Sequence, residues 1–178
     1  MRNHFEVEIQ WRAFPLHPDT PEQGLTLEAL FAGRNIDIPR AMARLKKAAR
    51  DLGLPLGERK KTYNSRLAQE LGKWAETKGR GDEFHDAVFR AYFVDGRNIA
   101  KSDILVTLAG AAGLSEKDAG EILQSRAFRE AVDSDWALCE RLGISAVPTF
   151  LLDHQSLVGA QPYEALEQLL LVNGVKRK

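Results

Sequence analysis

Nucleophilic chemistry in this chain would have to start from one thiol, because Cys139 is its single cysteine. One thiol makes no internal disulfide, no Cys-x-x-Cys redox pair and no cysteine-rich zinc site. Cys139 falls on an apolar helical stripe with Trp136 and Leu142, where a free cysteine packs as a small hydrophobe. The histidines, His4, His17, His85 and His154, are far apart in the chain, and no pair has the short spacing of a helix-borne metal site. No metal ligand is therefore expected. There is no glycine-rich phosphate loop and no Ser–His–Asp signature. The basic run Arg40, Arg44, Lys46, Lys47, Arg50, Arg59, Lys60 and Lys61 could attract a carboxylate or phosphate, but such runs are more often a solvated helix face. Trp11, Trp74 and Trp136 lie on apolar stripes and read as core. What remains is Val147-Pro148, a proline at the entrance to an apolar run.

The elements that would position these residues follow from periodicity. Phe5, Val7, Ile9, Trp11 and Ala13 alternate with polar residues, the pattern of a strand with one buried face. Prolines 15, 18 and 21 end it. Asp37 can cap a helix with Pro39 in its first turn and Met42, Leu45, Ala49 and Leu52 on one side. Asn64 can cap the next, whose stripe is Leu67, Leu71, Trp74 and Ala75. Asp82 starts another, carrying Phe84, Val88, Ala91 and Tyr92. Ser102 can cap residues 103–112, with Gly113 suited to the left-handed residue beyond. Ser115 with Asp118 resembles a capping box. A last helix of this group holds Phe128, Val132, Trp136, Cys139 and Leu142. Thr149–Leu152 and Ser156–Val158 flank a turn and read as a β-hairpin, and Pro162 opens a final helix. The order is strand, several helices, two strands, helix. It predicts a small sheet domain, residues 1–24 with 143–178, interrupted by a helical insertion, residues 25–142.

Composition narrows the function classes. The chain has 178 residues, 25 basic against 25 acidic side chains, and is 44% hydrophobic. That supports a packed core and argues against disorder. A net charge of zero gives no whole-molecule attraction to nucleic acid or to an anionic membrane, and no apolar run reaches the roughly 20 residues that span a bilayer. The first residues lack the apolar core of a secretory signal. The expectation is a cytoplasmic protein with neither nucleic acid nor membrane as partner.

Two stretches carry a resemblance. Gly143-Ile-Ser-Ala-Val-Pro-Thr-Phe150, followed by Val158-Gly-Ala-Gln-Pro162, resembles the loop and hairpin that hold the cis-proline of the thioredoxin superfamily. Tyr63-Asn-Ser-Arg66, Ala91-Tyr-Phe93 and Gly113-Leu114 resemble the helical insertion of its DsbA/FrnE-like branch, and Trp11–Leu16 is similar to that branch's second core strand and exit. The resemblance implies an α/β fold: a thioredoxin-like sheet with a large all-helical insertion. The activity it implies is thiol–disulfide oxidoreductase. The chain departs from the pattern in lacking the first strand–helix unit with its Cys-x-x-Cys, so the attacking thiolate is missing and the polypeptide is expected to be redox-inactive. The lost strand would be the centre of the sheet. Its neighbours would pair directly, a strand from a second copy would fill the gap, or the gene product would be longer upstream. A homo-oligomer, strand-swapped in the second case, is the expected assembly.

The resemblance also nominates site residues. Ala146, Val147, Pro148 and Thr149 would present backbone to an extended peptide or thiol ligand by strand addition. Asn64 and Gln161 match positions near the ligand cleft of the related kappa-class glutathione transferases and 2-hydroxychromene-2-carboxylate isomerases. By their own placement, Asn64 is a helix cap and Gln161 a helix-entry residue. No cofactor is expected. Glutathione would be the ligand under one alternative, a glutathione-dependent isomerase or transferase. The other alternative is a non-catalytic peptide-binding or dimerisation module.

Overall fold

Side chains that recur every three or four residues along consecutive helices can bury one shared face, and most of this chain does so. The computed structural model describes residues 1–178. In chain order the elements are β1 (Leu25–Thr26), α1 (Leu27–Leu30), α2 (Ile38–Asp51), β2 (Lys61–Thr62), α3 (Arg66–Thr77) and α4 (Gly81–Phe93). They continue with α5 (Ser102–Ala111), α6 (Glu116–Ser125), α7 (Arg129–Arg141), β3 (Thr149–Leu152), β4 (Gln155–Val158) and α8 (Tyr163–Val172). They divide into two compact units, residues 15–132 and residues 1–14 with 133–178. Both joints fall earlier in the chain than the boundaries at 24 and 142 expected from the sequence.

The helical unit is built from α3 to α6. Leu71, Trp74 and Ala75 of α3 meet Phe84 and Ala91 of α4, Leu105 and Ala109 of α5, and Ala119 of α6 in one buried cluster. Two of the expected caps form, while Ser102 is itself the first residue of α5, whose N-cap position is Lys101. Asp37 accepts from the Arg40 amide at 2.9 Å, and Ser115 Oγ accepts from the Asp118 amide at 3.2 Å. The short β1–β2 ladder, Leu25 opposite Thr62, was not foreseen. It needs Gly24, whose φ of +76° and lack of a side chain let the chain pass where a Cβ would lie 2.5 Å from the Thr62 carbonyl oxygen.

One charged group sits in this core. Glu70 is 1% exposed. Arg126 grips its carboxylate with a fork, Nε to Oε2 at 2.6 Å and Nη2 to Oε1 at 2.6 Å. Arg66, one turn earlier on α3, donates Nε to Oε1 at 2.6 Å and passes Nη2 to the Arg129 carbonyl at 2.9 Å. The cluster thereby ties α3 to the end of α6 and the start of α7. Burial pushes the Glu70 carboxyl pKa up, and the hydrogen bonds and charges of Arg126 and Arg66 outweigh it, leaving the pKa lowered.

The other unit differs from the sequence expectation in two ways. Residues 5–13 belong to no ladder. Their one β-contact is an isolated antiparallel bridge between Phe5 and Arg177, and the sheet here contains only β3 and β4. Direct pairing of the two flanking strands is therefore not what the chain adopts. Trp11, expected in the core, is 46% exposed, while Trp74 is buried. Of the face expected to be buried only Phe5 is, and Ile9 is 42% exposed; a strand forms only against a partner strand. What holds this segment is Asp135 of α7, which accepts from the Ala13 amide at 2.9 Å and from Arg12 at 3.1 Å.

Removing the Glu70 carboxylate leaves two guanidinium groups beside a polar void. Glu70→Ala is expected to cost roughly 3–5 kcal/mol in urea unfolding at neutral pH. The folded-state pKa lies below the unfolded value of about 4.3, so the contribution is full above that value and disappears as pH falls through the folded one. Wild-type stability should drop across that acidic window, and the drop should be smaller in Glu70→Ala.

Candidate functional site

The hairpin sets the geometry of the candidate site. β3 and β4 pair antiparallel with Thr149 opposite Val158, Phe150 opposite Leu157, Leu151 opposite Ser156 and Leu152 opposite Gln155. The Gly159 amide donates to the Pro148 carbonyl at 2.7 Å, so residues 148 and 159 face each other across a hydrogen-bonded position. Antiparallel ladders alternate bonded and non-bonded pairs. Phe150 and Leu152 thus spend their backbone groups on β4, and Thr149 and Leu151 turn their N–H and C=O to the outer edge of β3. No third strand pairs with that edge. None of its side chains is charged, and Phe150 is 38% and Leu151 47% exposed.

The sequence-nominated residues Ala146, Val147, Pro148, Thr149 and Gln161 gather at the mouth of this hairpin. The peptide bond between Val147 and Pro148 is cis, and the Val147 side chain is exposed. Thr149 Oγ1 donates to the Ala146 carbonyl at 2.7 Å and closes the loop. Gln161 Nε2 donates to the Val158 carbonyl at 2.6 Å, so it braces the strand that faces Thr149. Pro162 then caps α8.

Asn64 belongs to the helical unit and is fully engaged there. Its Nδ2 donates to the carbonyls of Pro18 at 2.8 Å and Thr20 at 2.9 Å, and its Oδ1 accepts from the Arg66 amide at 2.8 Å. It staples the 18–20 loop onto the start of α3, whose N-cap position is Ser65. Beside it lies an open recess of about 270 Å³ lined by Glu22, Asn64, Arg66, Leu67, Ala100 and Arg126. The arginines there already serve Glu70.

Cys139 is buried, and its thiol lies 3.6 Å from the Ala13 carbonyl. Burial first, then the Asp135 carboxylate, raises its pKa above the ordinary thiol value. The helix N-terminus or adjacent cation that would favour a thiolate does not dominate here. Asp135 was missed by the sequence reading, although its place between Val132 and Cys139 on an otherwise apolar stripe was a visible signal. The outward-facing pair Thr149 and Leu151 was missed too. It depends on pairing parity, which the residue types do not encode.

The sequence matches the family described as DSBA-like thioredoxin domain over residues 1–171. The chain belongs to that family. Its helices and small sheet are a DsbA-like thioredoxin fold with a helical insertion. It is 26% identical over 175 residues to the uncharacterized protein YwbO of Bacillus subtilis (strain 168), covering 93% of this chain and 82% of that one. A probable DsbA oxidoreductase, SCO1869 of Streptomyces coelicolor, superposes with a TM-score of 0.86 at 29% identity, over 94% of this chain and 75% of that one. The cytosolic disulfide reductase DsbM of Pseudomonas aeruginosa, in its structure with GSH, shares the fold at a TM-score of 0.55 and 24% identity, over 75% of this chain and 76% of that one. Within this oxidoreductase family, the present chain has one cysteine and so no dithiol.

A thiol held this way should react slowly. Iodoacetamide is expected to modify Cys139 in the folded DsbA-like chain at least tenfold more slowly than in the urea-unfolded chain at pH 8, read by intact mass. Equal rates would show an accessible, activated thiol.

Proposed function

We propose that this polypeptide is a FrnE-like member of its family that binds an extended peptide or thiol substrate along the outer edge of β3 and carries out no disulfide exchange by itself. The observation that carries the reading is the pair of outward-facing backbone groups at Thr149 and Leu151, beside the exposed Val147-Pro148 loop. A docking strand would satisfy those N–H and C=O groups, and its side chains would lie on Phe150 and Leu151. Exchange needs a thiolate that attacks a disulfide sulfur and leaves as part of a mixed disulfide. The one thiol here is buried and its pKa is raised. The same edge suits a strand from a second copy, the form in which we propose the homo-oligomer. We place the protein in the cytoplasm, as its fold relative DsbM is described as cytosolic. No helix is long and apolar enough to cross a membrane.

Two measurements test this reading. The chain and its Cys139→Ser variant should both leave insulin unreduced in the presence of dithiothreitol at rates above the reagent blank. S-carboxymethylated insulin B chain serves as the extended probe. Leu151→Pro removes an outward N–H while sparing the ladder to β4, and is expected to weaken binding of that probe at least tenfold with the fold retained. Insulin reduction lost in Cys139→Ser would overturn the redox claim, and unchanged binding by Leu151→Pro would overturn the edge claim.

A further inference from the structure

Helix α2 has an apolar side, yet none of its residues is buried. At about 100° per residue, Ile38, Met42, Leu45, Ala49 and Leu52 fall on one face. Met42 and Ala49 are partly covered, and the Leu54 amide donates to the Ala49 carbonyl at 2.8 Å. Leu45 is 53% and Leu52 73% exposed, and Ile36 and Leu54 extend the exposed apolar line past both ends of the helix. Cations lie on the flanks and back of that line: Lys46, Arg44 and Arg50 stand about 80–120° around the helix from it, and Arg40 and Lys47 fall on the far side. Residues 37–51 hold five, Arg40, Arg44, Lys46, Lys47 and Arg50, against the carboxylates of Asp37 and Asp51. Lys47 pairs with Asp51 at 2.6 Å and Lys46 with Glu58 at 3.7 Å. Arg40, Arg44 and Arg50 pair with no carboxylate.

We propose that α2 is a docking element for an anionic lipid surface, lying in the interface with Leu45 and Leu52 below the phosphate level, Arg44, Lys46 and Arg50 on its flanks at that level and Arg40 on its outer, polar side. Charge complementarity selects this occupant. A second copy laid on this face would bring the flanking Arg44, Lys46 and Arg50 against their own counterparts, which like-charge repulsion opposes. An anionic bilayer offers apolar depth beneath a layer of negative charge, which matches a helix whose aliphatic line is flanked by Arg44, Lys46 and Arg50. The chain's zero net charge does not oppose this, because the field that acts within a Debye length of a surface is that of the local patch. The proposal is independent of the β3 edge.

The test is co-sedimentation of the full chain with vesicles of POPC alone and of equal parts POPC and POPG. Binding should be at least tenfold stronger to the anionic vesicles, and should be lost at about 1 M salt, where the screening length falls to about 3 Å. The triple variant Arg40→Glu, Arg44→Glu, Arg50→Glu and the double variant Leu45→Ser, Leu52→Ser should each lose it at least tenfold with an unchanged circular dichroism spectrum. The altered residues are exposed and outside the core cluster. Absence of wild-type binding to the anionic vesicles, equal binding to both vesicles, or full binding by either variant overturns the proposal. So does a dimer in solution that the Leu45→Ser, Leu52→Ser variant dissociates, which would show that a second copy covers this face.

Discussion

A strand's backbone carries hydrogen-bonding groups on both sides, and every structural consequence at the hairpin follows from the side of β3 that has no partner. Pairing with β4 satisfies Phe150 and Leu152 and leaves Thr149 and Leu151 facing outward. Proteins normally protect such an edge with charge, proline or a covering element. Here Thr149–Leu152 contains neither charge nor proline, and the sheet has two strands. A two-stranded sheet is weak unless something packs on it. In this unit α8 packs against β4, and β3 has its outer edge open.

The chemistry follows from the same architecture. Family resemblance brings an expectation of thiol exchange, but the reaction is performed by a thiolate and not by a fold. The chain's one thiol is on α7, among groups that keep it protonated: a buried setting and the Asp135 carboxylate. Asp135 is occupied in a structural task, holding Arg12 and Ala13. The binding proposed for the β3 edge requires no side-chain reactivity, so loss of exchange would not remove it.

How much was legible in the sequence depended on whether a signal was local. Helices α2 to α7 were readable because each carries its own period, and α2 and α6 carry side-chain caps at Asp37 and Ser115 as well. The hairpin was readable from Thr149–Leu152 and its turn. The first strand was not, because alternation at Phe5–Ala13 states only which side chains prefer burial. Whether backbone partners exist is a long-range fact. Asn64 was read as a cap, and its Oδ1 does accept from the Arg66 amide; what the sequence did not show is that it also staples a loop to the helix, since its Nδ2 reaches the Pro18 and Thr20 carbonyls, more than forty residues away. The Glu70 cluster was invisible for the same reason: Arg66 lies one turn away, but Arg126 lies 56 residues further on.

Amide hydrogen exchange resolved by residue addresses the open edge most directly. In dilute protein the Thr149 and Leu151 amides should exchange at least tenfold faster than those of Phe150 and Leu152, and should slow when an extended peptide or a second copy docks. Protection of Thr149 and Leu151 in the dilute monomer, or equal rates along β3, would contradict the account.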